Sequence, residues 1–237
     1  METENLDLLK RLISREESLS DISTEDMFAL AQPYLHNCTF LYRLYAHTFR
    51  EDIPSELSDP EAGIDVSYTD ETYNISWRKG EKCLTFDQTR LRTWLKLTID
   101  ALDHILPLGS VVDLKKEYFK AHLPVDQVDK MRVVITHRFL TGGSEGFYFP
   151  YAGVLYPFGA VDEHKYINFT ANLIENVVHE GFSDEQDDAC VLLMKHEILE
   201  NMKLCSFGFA PKAELESYQK AMENFMKQSG GTGDERD

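Results

Sequence analysis

The stretch that decides the fold runs from Ile105 to Phe182 and consists of short blocks rich in β-branched and aromatic residues. The first blocks read Leu106-Pro107-Leu108-Gly109-Ser110-Val111-Val112, Met131-Arg132-Val133-Val134-Ile135-Thr136 and Tyr151-Ala152-Gly153-Val154-Leu155-Tyr156-Pro157-Phe158-Gly159. The last two read Tyr166-Ile167-Asn168-Phe169 and Ile174-Glu175-Asn176-Val177-Val178-His179-Glu180-Gly181-Phe182. Gly, Pro, Asp or Asn bounds each block, which is the pattern of successive β-strands. The sequence therefore predicts an antiparallel sheet over residues 107–182.

The N-terminal flank carries helical periodicity. Leu6, Leu9 and Ile13 predict a helix over residues 4–16, and Ser23 or Thr24 marks the start of a second one. Pro33 interrupts that helix, because its ring cannot continue the hydrogen-bond ladder. From Tyr34 to Phe49 apolar residues surround most of a helix, which predicts burial from more than one side.

Residues 54–105 combine a connector, strands and a helix. Pro54 to Gly63 reads as a polar connector, and three strands are predicted at Ile64–Tyr68, Thr72–Trp77 and Lys82–Phe86. Asp87 is a suitable N-cap for a helix that runs to Ile105.

Two helices are predicted after the sheet. Ser183 and Gln186 form a plausible capping box for the first, whose apolar face is Val191, Met194, Ile198 and Met202. The second begins at Pro211, and its apolar stripe is Leu215, Tyr218, Met222 and Phe225.

The fold class is therefore α+β, with a central antiparallel sheet flanked by N-terminal and C-terminal helices. Residues 1–106 form a helical segment with a small antiparallel sheet and a helix, residues 107–182 the β-rich core, and residues 183–229 the C-terminal helices. Residues 230–237 form a tail whose composition predicts disorder. We expect one compact unit.

Charge and cysteine usage limit the classes of function. The 237-residue chain has 24 basic and 41 acidic residues, a net charge of −17, which disfavours nucleic acid and anionic membranes. The N-terminal residues Met1-Glu2-Thr3-Glu4-Asn5 lack the pattern of a signal peptide, and no apolar run is long enough to span a membrane. The scattered Cys38, Cys83, Cys190 and Cys205 are expected to be reduced core residues of a cytoplasmic protein.

The patterns that could carry chemistry are incomplete. His179-Glu180 and His196-Glu197 each begin like a zinc-binding helix motif but lack its second histidine. Asp184, Asp187 and Asp188 lack the spacing of a calcium loop, and helix-start charge explains them better. Gly142-Gly143-Ser144-Glu145-Gly146 has no phosphate-loop lysine and is read as a hairpin tip. We therefore expect no catalytic residues, no cofactor and no metal.

Several aromatic residues have two possible roles. Tyr151, Tyr156, Phe158 and Phe182 are expected to fill the packed face of the sheet, beside glycines that permit bends and bulges. The alternative is that some of them bind a partner, since aromatic residues anchor interfaces. The candidate partner-binding set is Tyr34, Tyr42, Tyr45, Phe49, Tyr151, Tyr156, Tyr218 and Phe225.

The blocks of the central stretch together resemble a known family. Ile105–Leu114, Lys130–Arg138, Tyr151–Gly159, Asn168-Phe169 and Val178–Glu185 occur in the order of its motifs. The family is a small domain of unknown function encoded in type VII (ESX-type) secretion clusters of Gram-positive bacteria, which carry toxins with an LXG targeting domain. The resemblance covers residues 105–188; Pro150 stands where an acidic residue is usual, and the asparagine precedes Phe169 instead of following it.

This resemblance implies a function that composition alone does not. A non-enzymatic cytosolic adaptor or chaperone would bind an LXG-type toxin, through the helical targeting region, and help target it for export. One alternative is an immunity protein that neutralises the toxin domain, since an acidic surface suits a basic toxin. The other is an enzyme of unknown chemistry.

Overall fold

The computed structural model describes residues 2–50, 56–77, 82–119, 129–141, 146–159 and 166–212, with 215, 216, 218 and 220.

The N-terminal region is helical. The first helices are α1 (Glu2–Arg15), α2 (Thr24–Ala31) and α3 (Thr39–His47). The Ser23 side chain accepts a hydrogen bond from the Asp26 amide, so this start of α2 is confirmed.

The helix predicted from Tyr34 to Phe49 is shorter than expected. A 3-10 turn at Gln32–Tyr34 follows α2, and His36 has a positive φ of 71°. This backbone conformation cannot belong to a right-handed helix, so α3 begins only at Thr39. The prediction that Pro33 interrupts the helix is confirmed, but the prediction of a helix through residues 34–38 is wrong.

A four-stranded antiparallel sheet follows, in the order β1 (Glu56–Asp59), β2 (Ile64–Thr69), β3 (Thr72–Trp77) and β4 (Cys83–Asp87). Strands β2 to β4 confirm the three strands predicted at Ile64–Tyr68, Thr72–Trp77 and Lys82–Phe86. The prediction of a connector over residues 54–63 is wrong for β1, which pairs with β2 from Glu56↔Ser67 to Asp59↔Ile64. Its polar residues gave no strand pattern, and pairing with the edge of β2 decides its conformation.

Helix α4 (Gln88–Leu102) follows the four-stranded sheet, and eight of its residues are buried. Asp87 Oδ1 accepts a hydrogen bond from the Arg90 amide at 2.9 Å, which confirms the predicted N-cap. The helix contacts α1, α3, β3 and β4. Its buried side chains include Trp94 and Leu95, both fully inaccessible to solvent.

All strands of the larger sheet except β10 come from the stretch between Ile105 and Phe182. Its strands are β5 (Val111–Leu114), β6 (Met131–Leu140), β7 (Phe147–Leu155), β8 (Ile167–Phe169), β9 (Ile174–His179) and the short β10 (Cys205–Ser206). The order is β10-β7-β6-β5-β9, with β8 also paired to β7. All pairs are antiparallel except β10 with β7, so the α+β prediction is confirmed.

Strand β7 is buried on both faces from Phe147 to Val154. The strand approaches its neighbour β6 closely at Gly153, where an added Cβ atom would lie 2.3 Å from the carbonyl oxygen of Val134. No side chain fits there, which is the physical reason for glycine at this position.

The helix after the sheet differs from the prediction at both ends. Asp184, instead of Ser183, caps α5 (Glu185–Lys195), because its Oδ1 accepts hydrogen bonds from the amides of Gln186 and Asp187. A π-helical turn, His196–Asn201, follows and rotates the later residues relative to a regular helix. Ile198 is buried as predicted, but Met202 is 46% exposed and the buried neighbour is Lys195.

One hydrophobic cluster includes residues from α1, both sheets, α4 and the π-helical turn. Cys38 and Cys205 are buried, and none of the four cysteines forms a disulfide. The expectation that all four are core residues is wrong for Cys83 and Cys190, which are exposed on the outer faces of β4 and α5. The predicted tail over 230–237 lies outside the described residues.

Candidate functional site

The predicted partner-binding residues of the N-terminal half differ in exposure. Tyr34 is 3% exposed and belongs to the core. Tyr42 is partly buried, and its hydroxyl donates a hydrogen bond to Asp103 at 2.9 Å. Tyr45 packs against Phe209, with ring centroids 4.8 Å apart. Only Phe49 is widely exposed, at 58%, and the guanidinium of Arg92 lies 3.8 Å from its ring centroid.

The candidates in the second half divide in the same way. Tyr151 is fully buried, whereas Tyr156 is 56% exposed. Tyr218 is partly buried and packs on the rings of Phe147, Phe149 and Phe207. Phe225 lies outside the described residues. Of the described candidates, Phe49 and Tyr156 present the most surface to a partner.

We expect Tyr151→Phe to lower the free energy of unfolding by about 1–3 kcal/mol, because it leaves a buried amide without an acceptor. The Tyr151 hydroxyl accepts a hydrogen bond from the Leu106 amide at 3.0 Å. Urea denaturation checks this prediction, with Tyr156→Phe as the control that removes a hydroxyl from an exposed ring. Equal stability of both variants would contradict the structural role of the Tyr151 hydroxyl.

The prediction that four aromatic residues fill the packed face of the sheet is correct only for Tyr151. Tyr156, Phe158 and Phe182 are 56%, 66% and 83% exposed. All three lie beyond strand ends, since β7 ends at Leu155 and β9 at His179. The alternation that places strand residues on a packed face stops where the strand stops.

The most exposed of these residues adjoins an unusual edge strand. Among the described strands, β9 pairs with β5 alone, and five of its six residues are exposed. Val177 and Val178 are 42% and 43% exposed, and Leu108 is 48% exposed. We call Leu108, Val177, Val178 and Phe182 the edge patch.

Backbone contacts hold the edge patch together. The Gly181 amide donates a hydrogen bond to Ser110 Oγ at 2.9 Å, and that hydroxyl donates to the Pro107 carbonyl at 2.8 Å. A Cβ atom at Gly181 would lie 2.2 Å from the carbonyl oxygen of Leu108. The segments carrying Leu108 and Phe182 are therefore in direct contact, and glycine is required between them.

The register of β9 is irregular. Val111 and Val112 of β5 pair with His179 and Val177, so Val178 is an extra residue. Asp113 and Leu114 pair with Asn176 and Ile174, so Glu175 is a second extra residue. Such bulges interrupt the ladder and increase the local twist of a strand.

Acidic side chains surround the edge patch in sequence. Glu175, Glu180, Asp184 and Glu185 form this acidic rim, and all four are exposed. Glu180 lies 3.4 Å from His104 Nε2, an exposed pair that adds little stability. The surface thus combines apolar side chains with negative charge.

A second unusual group of residues is buried. Lys195 is 2% exposed, and its Nζ donates hydrogen bonds to the carbonyl oxygens of Ala101 and Asp103 at 2.9 and 2.8 Å. Burial lowers the pKa of Lys195 to about 8. Sequence periodicity missed this position, because lysine in a helix ordinarily predicts an exposed face.

Asp100 is the acidic member of the buried group. Its carboxylate accepts hydrogen bonds from the Ser206 amide at 3.0 Å and from the Tyr148 hydroxyl at 3.4 Å. Burial raises the pKa of Asp100 to about 7 and also raises the pKa of Asp103. These groups join α4 to β7, β10 and the end of α5, which is a structural role.

Most of the histidines and aspartates in the incomplete metal-binding motifs interact with other groups of the protein. Asp187 forms an ion pair with Arg138 of β6, and Asp184 caps α5. His196 Nδ1 lies 2.6 Å from Glu200, which also pairs with Arg11 of α1. His179 is exposed on β9. Across the part of the chain that the structure describes, no group of three or more His, Cys, Asp or Glu side chains could hold a metal ion.

Comparison with known protein families gives a match to the segment that contains the edge patch. Residues 105–190 match a family described as a domain of unknown function (DUF4176), about a third of the chain. No curated protein and no solved structure matches the chain. Among the described helices, none has the length and apolar character needed to cross a bilayer.

Proposed function

We propose that the protein is a non-enzymatic cytosolic adaptor or chaperone that binds an LXG-type toxin of a type VII secretion system and helps to target it for export. One observation carries this proposal. The segment that matches the family, residues 105–190, presents Leu108, Val177, Val178 and Phe182 to solvent. Several exposed apolar side chains on adjoining segments favour a site of protein interaction.

The resemblance of the sequence to domains encoded in type VII clusters supports a toxin as the partner. Toxin targeting regions are helical, and an amphipathic helix exposes an apolar stripe until a partner covers it. An adaptor would cover this stripe before export and thereby keep the toxin from associating nonspecifically.

Binding measurements with the two halves of the partner toxin test this function. The halves are the N-terminal targeting half and the C-terminal toxic half. We expect the full-length protein to form a stable complex with the N-terminal half, because the targeting helices lie there. Size-exclusion chromatography and isothermal titration calorimetry with each purified half measure the binding. Failure to bind either half would overturn the proposal.

The acidic composition favours a second candidate function. An immunity protein would use its negative charge to bind a basic toxin domain, and the net charge here is −17. Binding to the C-terminal half, with loss of toxin activity, would support this alternative and exclude the adaptor.

A further inference from the structure

We infer that the edge patch is the docking site for an amphipathic helix of the partner whose apolar stripe is flanked by lysine and arginine residues. This inference rests on the proposed function and adds the surface, the form and the charge of the bound segment. It replaces the candidate partner-binding set predicted from the sequence, of which Phe49 and Tyr156 are the most exposed described members, as the expected contact surface.

The edge patch exposes apolar area that the fold leaves uncovered. Phe182 is 83% exposed, and the neighbouring Leu108 is 48% exposed, on segments in backbone contact. Single exposed apolar residues are common, but here exposed apolar side chains lie on two segments in backbone contact, beside a strand that exposes two valines. Covering it with apolar side chains removes that area from water, which favours association.

The bulges in β9 decide between a strand and a helix as the occupant. A partner strand that extends a sheet needs a regular row of outward amide and carbonyl groups. The extra residues Glu175 and Val178, only three positions apart, interrupt this row. A helix satisfies its own backbone hydrogen bonds and needs only side-chain contacts, so it can bind where a strand cannot pair.

The acidic rim specifies the charge of the bound helix. Glu175, Glu180, Asp184 and Glu185 flank the apolar residues, and all four are exposed. Lysine or arginine beside the apolar stripe would meet opposite charge. Binding should therefore weaken as the salt concentration rises, because exposed charge pairs are screened.

The same rim argues against a second copy of this chain as the occupant. In a twofold-symmetric dimer the same patch contacts itself, so the acidic rim of each protomer would approach the other. The net charge of −17 on each chain adds to this repulsion. A basic partner relieves it, whereas a second copy increases it.

Two pairs of variants test the site, with the N-terminal half of the toxin as the probe. Leu108→Ala with Phe182→Ala removes apolar anchors, and we expect at least about tenfold weaker binding with an unchanged melting temperature. Glu175→Lys with Glu180→Lys should weaken binding and reduce its salt dependence. Glu17→Lys with Glu61→Lys is the matched control, since both residues are exposed elsewhere and the change in net charge is the same.

The outcomes separate this inference from the proposed function. If both edge-patch variants bind the N-terminal half of the toxin as tightly as the wild-type protein does, the docking site is overturned while the adaptor function stands. Loss of binding only in Phe49→Ala would move the site to the segment just after α3. If wild type binds neither half, the function itself fails.

Amide hydrogen exchange on the complex tests the form of the bound segment. A docked helix should show slowed exchange in the toxin segment, with its helical content retained. The outward amides of β9 should gain no ladder of protection. A new ladder of protected β9 amides would overturn the helix in favour of strand addition, and dimerisation of the free protein that Phe182→Ala abolishes would favour a second copy.

Discussion

Lys195→Ala is expected to lower the free energy of unfolding by about 3–5 kcal/mol, the range for removing one member of a buried charged network. The Lys195 Nζ donates to the carbonyl oxygens of Ala101 and Asp103, which end α4. Its removal leaves these buried acceptors without a donor, and it opens a cavity in a site that is 2% exposed. Urea denaturation, monitored by circular dichroism, measures this decrease in the free energy of unfolding.

Two further variants separate the contributions at this site. Lys195→Met keeps most of the side-chain volume but donates no hydrogen bond. It should therefore lower the free energy of unfolding less than Lys195→Ala does, and more than a substitution at an exposed position does. Lys212→Ala is the control, because the Lys212 side chain is 90% exposed and its i,i+4 pair with Glu216 contributes little. A loss of less than about 1 kcal/mol in Lys195→Ala would contradict the role of this lysine in ending α4.

Asp100→Asn is expected to stabilise the protein at pH 8 by about 2 kcal/mol and to have a much smaller effect near pH 5. Burial raises the pKa of Asp100 from 3.8 to about 7, so the ionised form costs the folded state about 4 kcal/mol. An asparagine has no charge to bury. The stability gained by the substitution is smaller than the cost of the buried charge, because the carboxylate also accepts a hydrogen bond from the Ser206 amide.

The direction of this pH dependence follows from the raised pKa. The folded protein keeps the Asp100 proton up to about pH 7, whereas the unfolded chain releases it near pH 4. The contribution of Asp100 to stability is therefore complete below about pH 4 and is lost as the pH rises to 7. Lys96, Lys195 and Tyr148 also act on this carboxyl, and all of them lower its pKa.

Denaturation of wild type and Asp100→Asn at several pH values between 5 and 8 checks this prediction. The difference in unfolding free energy between the two proteins should grow with pH and level off above 7. A constant difference across this range would show that the Asp100 carboxyl does not titrate within it. Asp184→Asn serves as a comparison at an exposed carboxyl, where only the cap hydrogen bonds of α5 are altered.

The fold class and most of the elements were predictable from the sequence because their signals are local. Alternating apolar residues identified β3, and β-branched residues identified β6, whose predicted core over 131–136 lies within Met131–Leu140. The Asp87 cap needs only the next residues of α4, so its position follows from the sequence alone.

The candidate site was only partly predictable. The sequence indicated that aromatic residues of 105–182 pack or bind, but it gave no means to separate Tyr151, which is fully buried, from Phe182, which is 83% exposed. The difference depends on whether a residue lies inside a strand or just beyond its end. A strand end is set by pairing with a neighbour distant in sequence, as with β9 and β5.

The amino-acid sequence by itself therefore determined the α+β class, the positions of most helices and strands and the acidic charge, since each depends on neighbouring residues or on composition. Only the tertiary structure decided that Lys195 is buried, that β9 is a bulged edge, and that the segments carrying Leu108 and Phe182 are in contact. Each of these depends on segments brought together by folding, such as the contact of Gly181 with the Leu108 carbonyl. Periodicity along one segment carries no information about which distant segment will cover it.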